Sequence, residues 1–497
     1  MVCIWLGEPS ESSSLGMSLL GGVEGDYFDW LREQPLNADY VLKYAQALKD
    51  ILSRPWWSRL WPAQEFALAP ASIFMCGSHW FDSAQLVKDD DLTSMIGTLH
   101  GNGLSDDLSM SLHDLQANSF TQTTTIKALW HHMSSQKPSK KAEIFLEILK
   151  RCAGRHCFDD RDRVFALLGL SPEPVAWSVN ANYDSSVPEV YEDLAANVIR
   201  HFDSLAVLIT AGLGLQTEPD LPSWVPDWRN FHMLVQPRWY GECGTTFSAF
   251  ANKRHAWACG DNQLRVKGVR LGTIPSVGLG VVCKPMLNSL MADYEIVFRR
   301  ALRSWMGLCD VATREGGMDS YLNGSSKAEA FYRTVYGDVE STMYPGGYTN
   351  CVRLQTSDVQ ATVSNVDWAE RLGRYDGERI GPEGQHVPPY VGARRLFVTD
   401  TGYFGNGGPS VEPGDQVFIL MGCDYPAILR PMDYSTPQCT MYKLVETCYV
   451  HGVMDGELFE GASLFEVSES SEEDDIRTYL AWVEELGDHV IEPVWLC

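Results

Sequence analysis

Residues 54–76, RPWWSRLWPAQEFALAPASIFMC, carry the reading from which the rest of the fold is laid out. Pro62 fits only the first turn of a helix, where its missing N–H is no loss. The spacing therefore predicts a short helix from Pro62 to Ala69, with Glu65 about one turn in. SIFMCG follows as a short apolar strand, and His79-Trp80-Phe81 starts the next element. Upstream, Ala38–Leu52 reads as a helix whose stripe is Val41, Tyr44, Ala45, Leu48, Ile51 and Leu52. Pro55 stops it. Farther upstream, MVCIWLG is an apolar run ended by glycine, a buried strand. A buried parallel strand needs neighbours on both sides, and nothing precedes this one, so Val2–Leu6 is expected on an exposed sheet edge.

Downstream, residues 90–140 are rich in Ser, Thr and Gln and read as surface helices and loops. KKAEIFLEILKRCAG is an amphipathic helix closed by Gly154. Asp159 or Asp160 can cap RDRVFALLGL. Ser186 and Glu189 stand at capping-box spacing, with Pro188 in the first turn. The helix they open carries Val190, Leu194, Val198 and Phe202. LPSWVPDWR is an extended double-proline segment whose tryptophans plug a core edge. From about residue 236 the pattern changes to short strands between turn residues: QLRVKGVRLGTIPSVG, RRLFVTDTGYFGNGG, GDQVFILMG, YPAILRP and KLVETCYVHGVMDGE. Helical pieces near 285–310 and 325–340 interrupt them. This predicts a small barrel or meander. Residues 466–488 are acidic, with a terminal helix expected through Ile476, Leu480 and Val483.

The chain has 497 residues, 45% of them hydrophobic and 21% charged, enough for about three domains. Lys and Arg number 39 against 65 Asp and Glu, a net charge of −26 that disfavours binding to a nucleic-acid backbone. No apolar run reaches the roughly 18 residues of a membrane helix. Met1–Gly7 lacks the basic start of a secretory leader. The 13 cysteines include no CxxC pair and read as reduced thiols of a cytoplasmic protein. Cys152, His156 and Cys157 lack the further ligands a zinc site needs, and no metal or other cofactor is expected.

Taken together, VCIWLGEPSE, RPWWSRLWPAQEFALAP, DDRDRVFALLGL, YDSSVPEVYEDLA, LPSWVPDW, GDQVFILMGCDYPAILRP and YVHGVMDGE resemble the fungal HET (heterokaryon incompatibility) family over most of the chain. The resemblance implies a mixed α/β and α+β protein. Its expected parts are a partial TIR-like α/β HET remnant (1–82), a helical middle region (83–235), a β-rich C-terminal domain (236–465) and an acidic tail (466–497). The family's earlier strand and its WIDAxCINQ-type motif are not found, so the HET domain is expected to be truncated to its second half, through either a first exon lost from the gene model or descent as an inactive truncated paralogue. The implied role is fungal nonself recognition and programmed cell death through protein partners or self-association.

The resemblance also singles out Glu65. In TIR enzymes that cleave NAD, a glutamate follows a tryptophan in a short helix, as Glu65 follows Trp61 here. A carboxylate suits that chemistry because breaking the nicotinamide–ribose bond builds oxocarbenium character. NAD is the cofactor of this alternative only. Otherwise Glu65 is a first-turn acid pairing with Arg54 or Arg59. Arg54, Trp57, Arg59 and Trp61, with Trp56, can form a stacking or assembly surface, or the tryptophans can anchor the helix to the sheet. Asp160–Arg163 is either a helix start with paired charges or an interdomain latch. Gly278–Gly280 and Gly405–Gly408 lack the context of phosphate loops and read as turns. His451 reads as a packed or surface strand histidine without an identifiable partner.

Overall fold

The computed structural model describes residues 1–22, 37–173, 175–202, 204–214, 216–217, 220–229, 247–250, 257–260, 262–280, 291–311, 320–343, 349–364, 368, 394–433, 440–459 and 491–497. The terminal helix expected through Ile476, Leu480 and Val483 lies outside them. The chain divides into two compact units, Met1–Val190 with Met343–Thr349, and Tyr191–Thr342 with Asn350–Cys497.

In the first unit, β1 (Val2–Trp5) pairs in parallel with β2 (Ser72–Cys76), which pairs antiparallel with β3 (His79–Asp82). Among the described residues β1 is the sheet edge. Ile4 and Leu6 face inward and are buried, whereas Cys3 and Trp5 face outward and are exposed. Helix α1 (Ser13–Leu20) packs on α2 (Ala38–Leu52). The Asn37 side chain opens α2 by accepting the Tyr40 N–H. Every residue of the expected stripe, from Val41 to Leu52, is buried.

Two short helices follow, α3 (Pro55–Ser58) and α4 (Trp61–Leu68), each with proline in its first turn. Next come α5 (Asp89–Gly101), α6 (Asp106–Leu115), a π-helical turn (Gln116–Thr121), α7 (Gln122–Met133) and α8 (Pro138–Cys152). Residues 90–140 are therefore not surface decoration. Leu92, Ile96, Leu112 and Phe120 are fully buried in the core that also holds Ile4, Leu48, Trp57 and Phe74. Polar residues enter this interior because they are bonded there. Gln116, for example, donates to the Asp89 carboxylate at 3.0 Å and to Thr93 at 2.6 Å. No break in packing falls at residue 82, because one core is shared across that expected boundary. The short α9 (Asp162–Phe165), α10 (Val175–Ser178) and α11 (Val187–Phe202) follow, the last opened by a hydrogen bond from the Ser186 N–H to Glu189 at 2.7 Å.

The second unit is built on strands, as the sequence predicts. Its strands are β4 (Trp257–Gly260), β5 (Gln263–Thr273), β6 (Ser276–Val277), β7 (Val339–Met343), β8 (Thr349–Arg353), β9 (Arg395–Val398), β10 (Phe404–Gly407), β11 (Gln416–Leu420), β12 (Ala427–Pro431), β13 (Met441–Thr447), β14 (Tyr449–Val450) and β15 (Ile491–Leu496). Pairing runs β5–β11–β12–β13–β15 and back to β5, so five strands close a barrel. The long β5 makes this possible. Residues 264–269 pair with β15, and 268–273 pair with β11 along the opposite edge, which β4 also uses. The expected acidic tail thus ends in a barrel strand.

A second sheet, β14-β10-β9-β6, packs its apolar residues with α12 (Met291–Leu308) and α13 (Lys327–Tyr336). Helix α14 (Thr356–Val363) lies against α13. Gly405–Gly407 are strand rather than turn. Glycine is required there by close approach, since a Cβ at Gly405 would enter the Phe397 ring and one at Gly408 would lie 2.6 Å from a Glu446 oxygen. Trp224 and Trp228 are fully buried, as the double-proline segment predicts. Among the described residues no helix is long and apolar enough to cross a membrane.

Candidate functional site

Helix α4 holds Glu65 on a firmly seated element. Lys127 donates to the carbonyls of Phe66 (3.1 Å) and Ala69 (3.0 Å) at its end, and its ammonium lies over the Phe66 ring. Gln64 accepts the Gly169 N–H at 3.1 Å. Glu65 itself is exposed and forms no hydrogen bond or ion pair with another described residue. The pairing with Arg54 or Arg59 does not form. Arg54 turns instead to Asp50 at 2.9 Å, Ser13 at 3.0 Å and the Glu8 carbonyl at 2.8 Å. Burial opposes the Asp50 charge, but the Ser10 and Ser13 hydroxyls and Arg54 outweigh it and hold this carboxyl below its ordinary pKa.

The four residues expected to form a stacking surface are divided. Trp57 is fully buried, stacked on Phe74 at 5.6 Å and donating to the Ile51 carbonyl at 2.9 Å. It anchors the core. Trp61 is exposed, and its indole donates to Asp162 at 3.2 Å, while Arg59 is exposed as well. The other Asp162 oxygen accepts the Tyr183 hydroxyl at 2.5 Å. Arg161 and Arg163 pair with Asp159 and Asp160, and Arg161 also donates to the Ser185 carbonyl at 2.9 Å, tying down the loop before α11. Cys152 is buried, and loss of solvation pushes its thiol up to about 11, outside the reactive range. Among the described residues no three His, Cys, Asp or Glu side chains converge to hold a metal.

A second arrangement, in the barrel-bearing unit, is more elaborate. A cleft of about 500 Å³ is lined from four parts of the chain: the turn at 323–325, α13 with Asp338, residues 353–356, and 449–457. Gly337 and Asp338 both adopt left-handed backbone at the end of α13 (φ 59° and 58°). This turn sets the buried Asp338 carboxylate between Arg333 and Arg353, the latter at 2.6 Å. Arg333 also takes Glu329 at 3.2 Å, and Arg353 takes Asp455 at 2.9 Å while lying over the Phe247 ring. Glu329, Arg333, Asp338, Arg353 and Asp455 thus alternate in sign along one chain of contacts.

His451, 6% exposed, completes the wall. Its Nδ1 lies 3.0 Å from the Tyr449 hydroxyl and its Nε2 lies 3.3 Å from the Asn323 amide nitrogen. With that amide donating, Nε2 is the acceptor and Nδ1 carries the proton. Loss of solvation, with the nearby Arg333 and Arg353 charges, lowers the His451 pKa to about 3. Near neutral pH the ring is an uncharged hydrogen-bonding group.

A pH dependence follows. The unfolded chain gains the His451 proton near pH 6.5, and the folded chain only near pH 3. Stability is therefore complete above about pH 6.5 and falls as pH drops toward 3, by at most about 1.4 kcal/mol per pH unit from this group. Asp338, whose pKa burial raises, acts in the opposite sense. In urea titrations between pH 7 and 4, His451→Gln is expected to flatten the acid slope. An unchanged slope would contradict the assignment.

The sequence alone offers no partner for His451, because Asn323 lies 128 residues away. The alternation in YVH does place Tyr449 two residues before it, on the same side of an extended segment.

Residues 387–466 match the Het-6 beta-barrel domain. Over 93% of its length the chain is similar, at 22% identity, to heterokaryon incompatibility protein 6, OR allele, of Neurospora crassa, of which it covers 77%. These matches bear out the resemblance to the fungal HET family. No solved structure matches the chain. The matched segment contains Tyr449, His451 and Asp455, and three of the five barrel strands; β5 and β15 come from outside it.

Proposed function

We propose that this protein acts in heterokaryon incompatibility, the fungal discrimination of self from nonself, through protein partners or self-association that trigger programmed cell death. The observation that carries the reading is similarity along nearly the whole chain to heterokaryon incompatibility protein 6, with a barrel domain of the same kind. A net charge of −26 supports action on proteins rather than on nucleic acid. The test is inducible expression in a fungal host. Growth arrest and cell lysis in strains of one genetic background, with normal growth in another, are expected. Normal growth in every background at high protein level would reject the reading.

A TIR-like NAD glycohydrolase centred on Glu65 is the second reading, favoured by the exposure of that carboxylate and its lack of a partner among the described residues. Glu65→Ala should change stability by no more than about 0.5 kcal/mol, as an exposed substitution without contacts. Under this reading it abolishes nicotinamide release from NAD. Equal release by the wild type and by Glu65→Ala would remove the carboxylate from consideration.

A further inference from the structure

The cleft beside His451 has an unequal stock of hydrogen-bonding groups. Its cations are committed within the protein. Arg333 donates to Glu329, Asp338, the Leu354 carbonyl and Thr356. Arg353 is divided between Asp338 and Asp455, to which it gives two bonds of 2.9 Å. The His451 ring is neutral and bonded on both nitrogens. An incoming anion would find no uncommitted positive charge on these groups.

The acceptors are less fully used. A carboxylate offers about four lone-pair positions. Glu457 accepts the Asp455 N–H at 2.7 Å and makes no ion pair with a described residue. Glu329 and Asp455 keep positions beyond those that Arg333 and Arg353 take. Four carboxylates (Glu329, Asp338, Asp455, Glu457) thus face two guanidiniums around one cavity. Partial loss of solvation raises the Glu457 pKa, with the Asp455 charge acting in the same sense and the Arg353 charge against it. Leu354, Tyr449 and Met454 supply apolar lining suited to a methylene stem.

We infer that this cleft is a cation-binding subsite that takes an alkylammonium or guanidinium group, its charge on Glu457 and Asp455 and its methylenes against the apolar lining. The inference rests on the geometry of the second unit and is independent of the incompatibility reading. The group can come from a free polyamine or from a lysine or arginine of a protein partner, and the two sources share one chemistry.

The experiment is calorimetric titration of the full chain near physiological salt. Spermidine is one probe, a short neutral-ended peptide with a single arginine is the second, and inorganic phosphate is the third. Saturable one-to-one binding of spermidine or of the peptide is expected, and whichever binds tighter identifies the source. Glu457→Gln, exposed at the rim and expected to fold, should weaken it at least tenfold. Glu412→Gln, which removes an exposed acid lining no part of this cleft, should leave it unchanged. Equal binding by Glu457→Gln and wild type, absence of saturable binding by either cation, or preferential binding of phosphate would each overturn the inference.

Discussion

Arg394→Ala is expected to destabilise the barrel-bearing unit by about 3–5 kcal/mol, enough to leave a marginally stable domain largely unfolded. Arg394 is 1% exposed. Its guanidinium meets Glu446 on β13 at 3.3 Å, and on β10 the Asn406 side-chain oxygen at 3.1 Å and carbonyl at 3.0 Å. Asn406 passes the connection to α13, donating to the Thr334 carbonyl at 2.9 Å. One cation therefore joins the barrel, the second sheet and a helix. Removing it strands a carboxylate whose pKa burial already raises. Arg394→Met combined with Glu446→Gln removes both charges and should be less destabilised than Arg394→Ala alone. Urea unfolding of the three proteins decides; a single variant within about 1 kcal/mol of wild type would contradict the prediction.

Trp57→Ala should act as strongly in the first unit, by about 3–5 kcal/mol, the range for deleting a buried aromatic side chain. Trp57 is 0% exposed and lies among Trp56, Phe74 and Phe120, with ring centroids 4.9, 5.6 and 5.6 Å away. The substitution opens a cavity and also removes the indole hydrogen bond to the Ile51 carbonyl at the end of α2, which keeps the Arg54 N–H at 3.3 Å. Hydrogen exchange reads the two units separately. Protection over residues 38–82 should fall sharply while the barrel strands keep theirs. Retained protection over 38–82 would refute it.

These two residues also show where sequence is informative. Trp57 sits amid local signals. A helical stripe, two prolines in first turns and a short apolar run define α2, α3, α4 and β2, and the anchor reading of the tryptophans follows from packing. The alternations of the C-terminal half likewise identify most of its strands. Their pairing is not legible, because closure joins β5 to β15 across a long stretch of chain and no local pattern encodes that contact. The polar stretch 90–140 misleads for a related reason. Gln116 and Thr123 look solvent-facing by composition, but their side chains are bonded within the unit. At the candidate sites, Glu65 stands out through a motif, whereas Arg333, Asp338 and Asn323 belong to a network assembled by tertiary structure and carry no signature of their own.

The closing of the barrel by β15 has a consequence for biosynthesis. β5 ends at Thr273 and β15 begins at Ile491, so 217 residues must be polymerised between them. At the roughly 5–20 residues per second of translation, that takes on the order of 10–45 s. Throughout it, the side of β5 that β15 later occupies lacks its final hydrogen-bonding partner and can recruit the wrong strand. A nascent chain of this protein is thus a natural client for chaperones, and a stop codon anywhere before 491 would release a product with a permanently open seam.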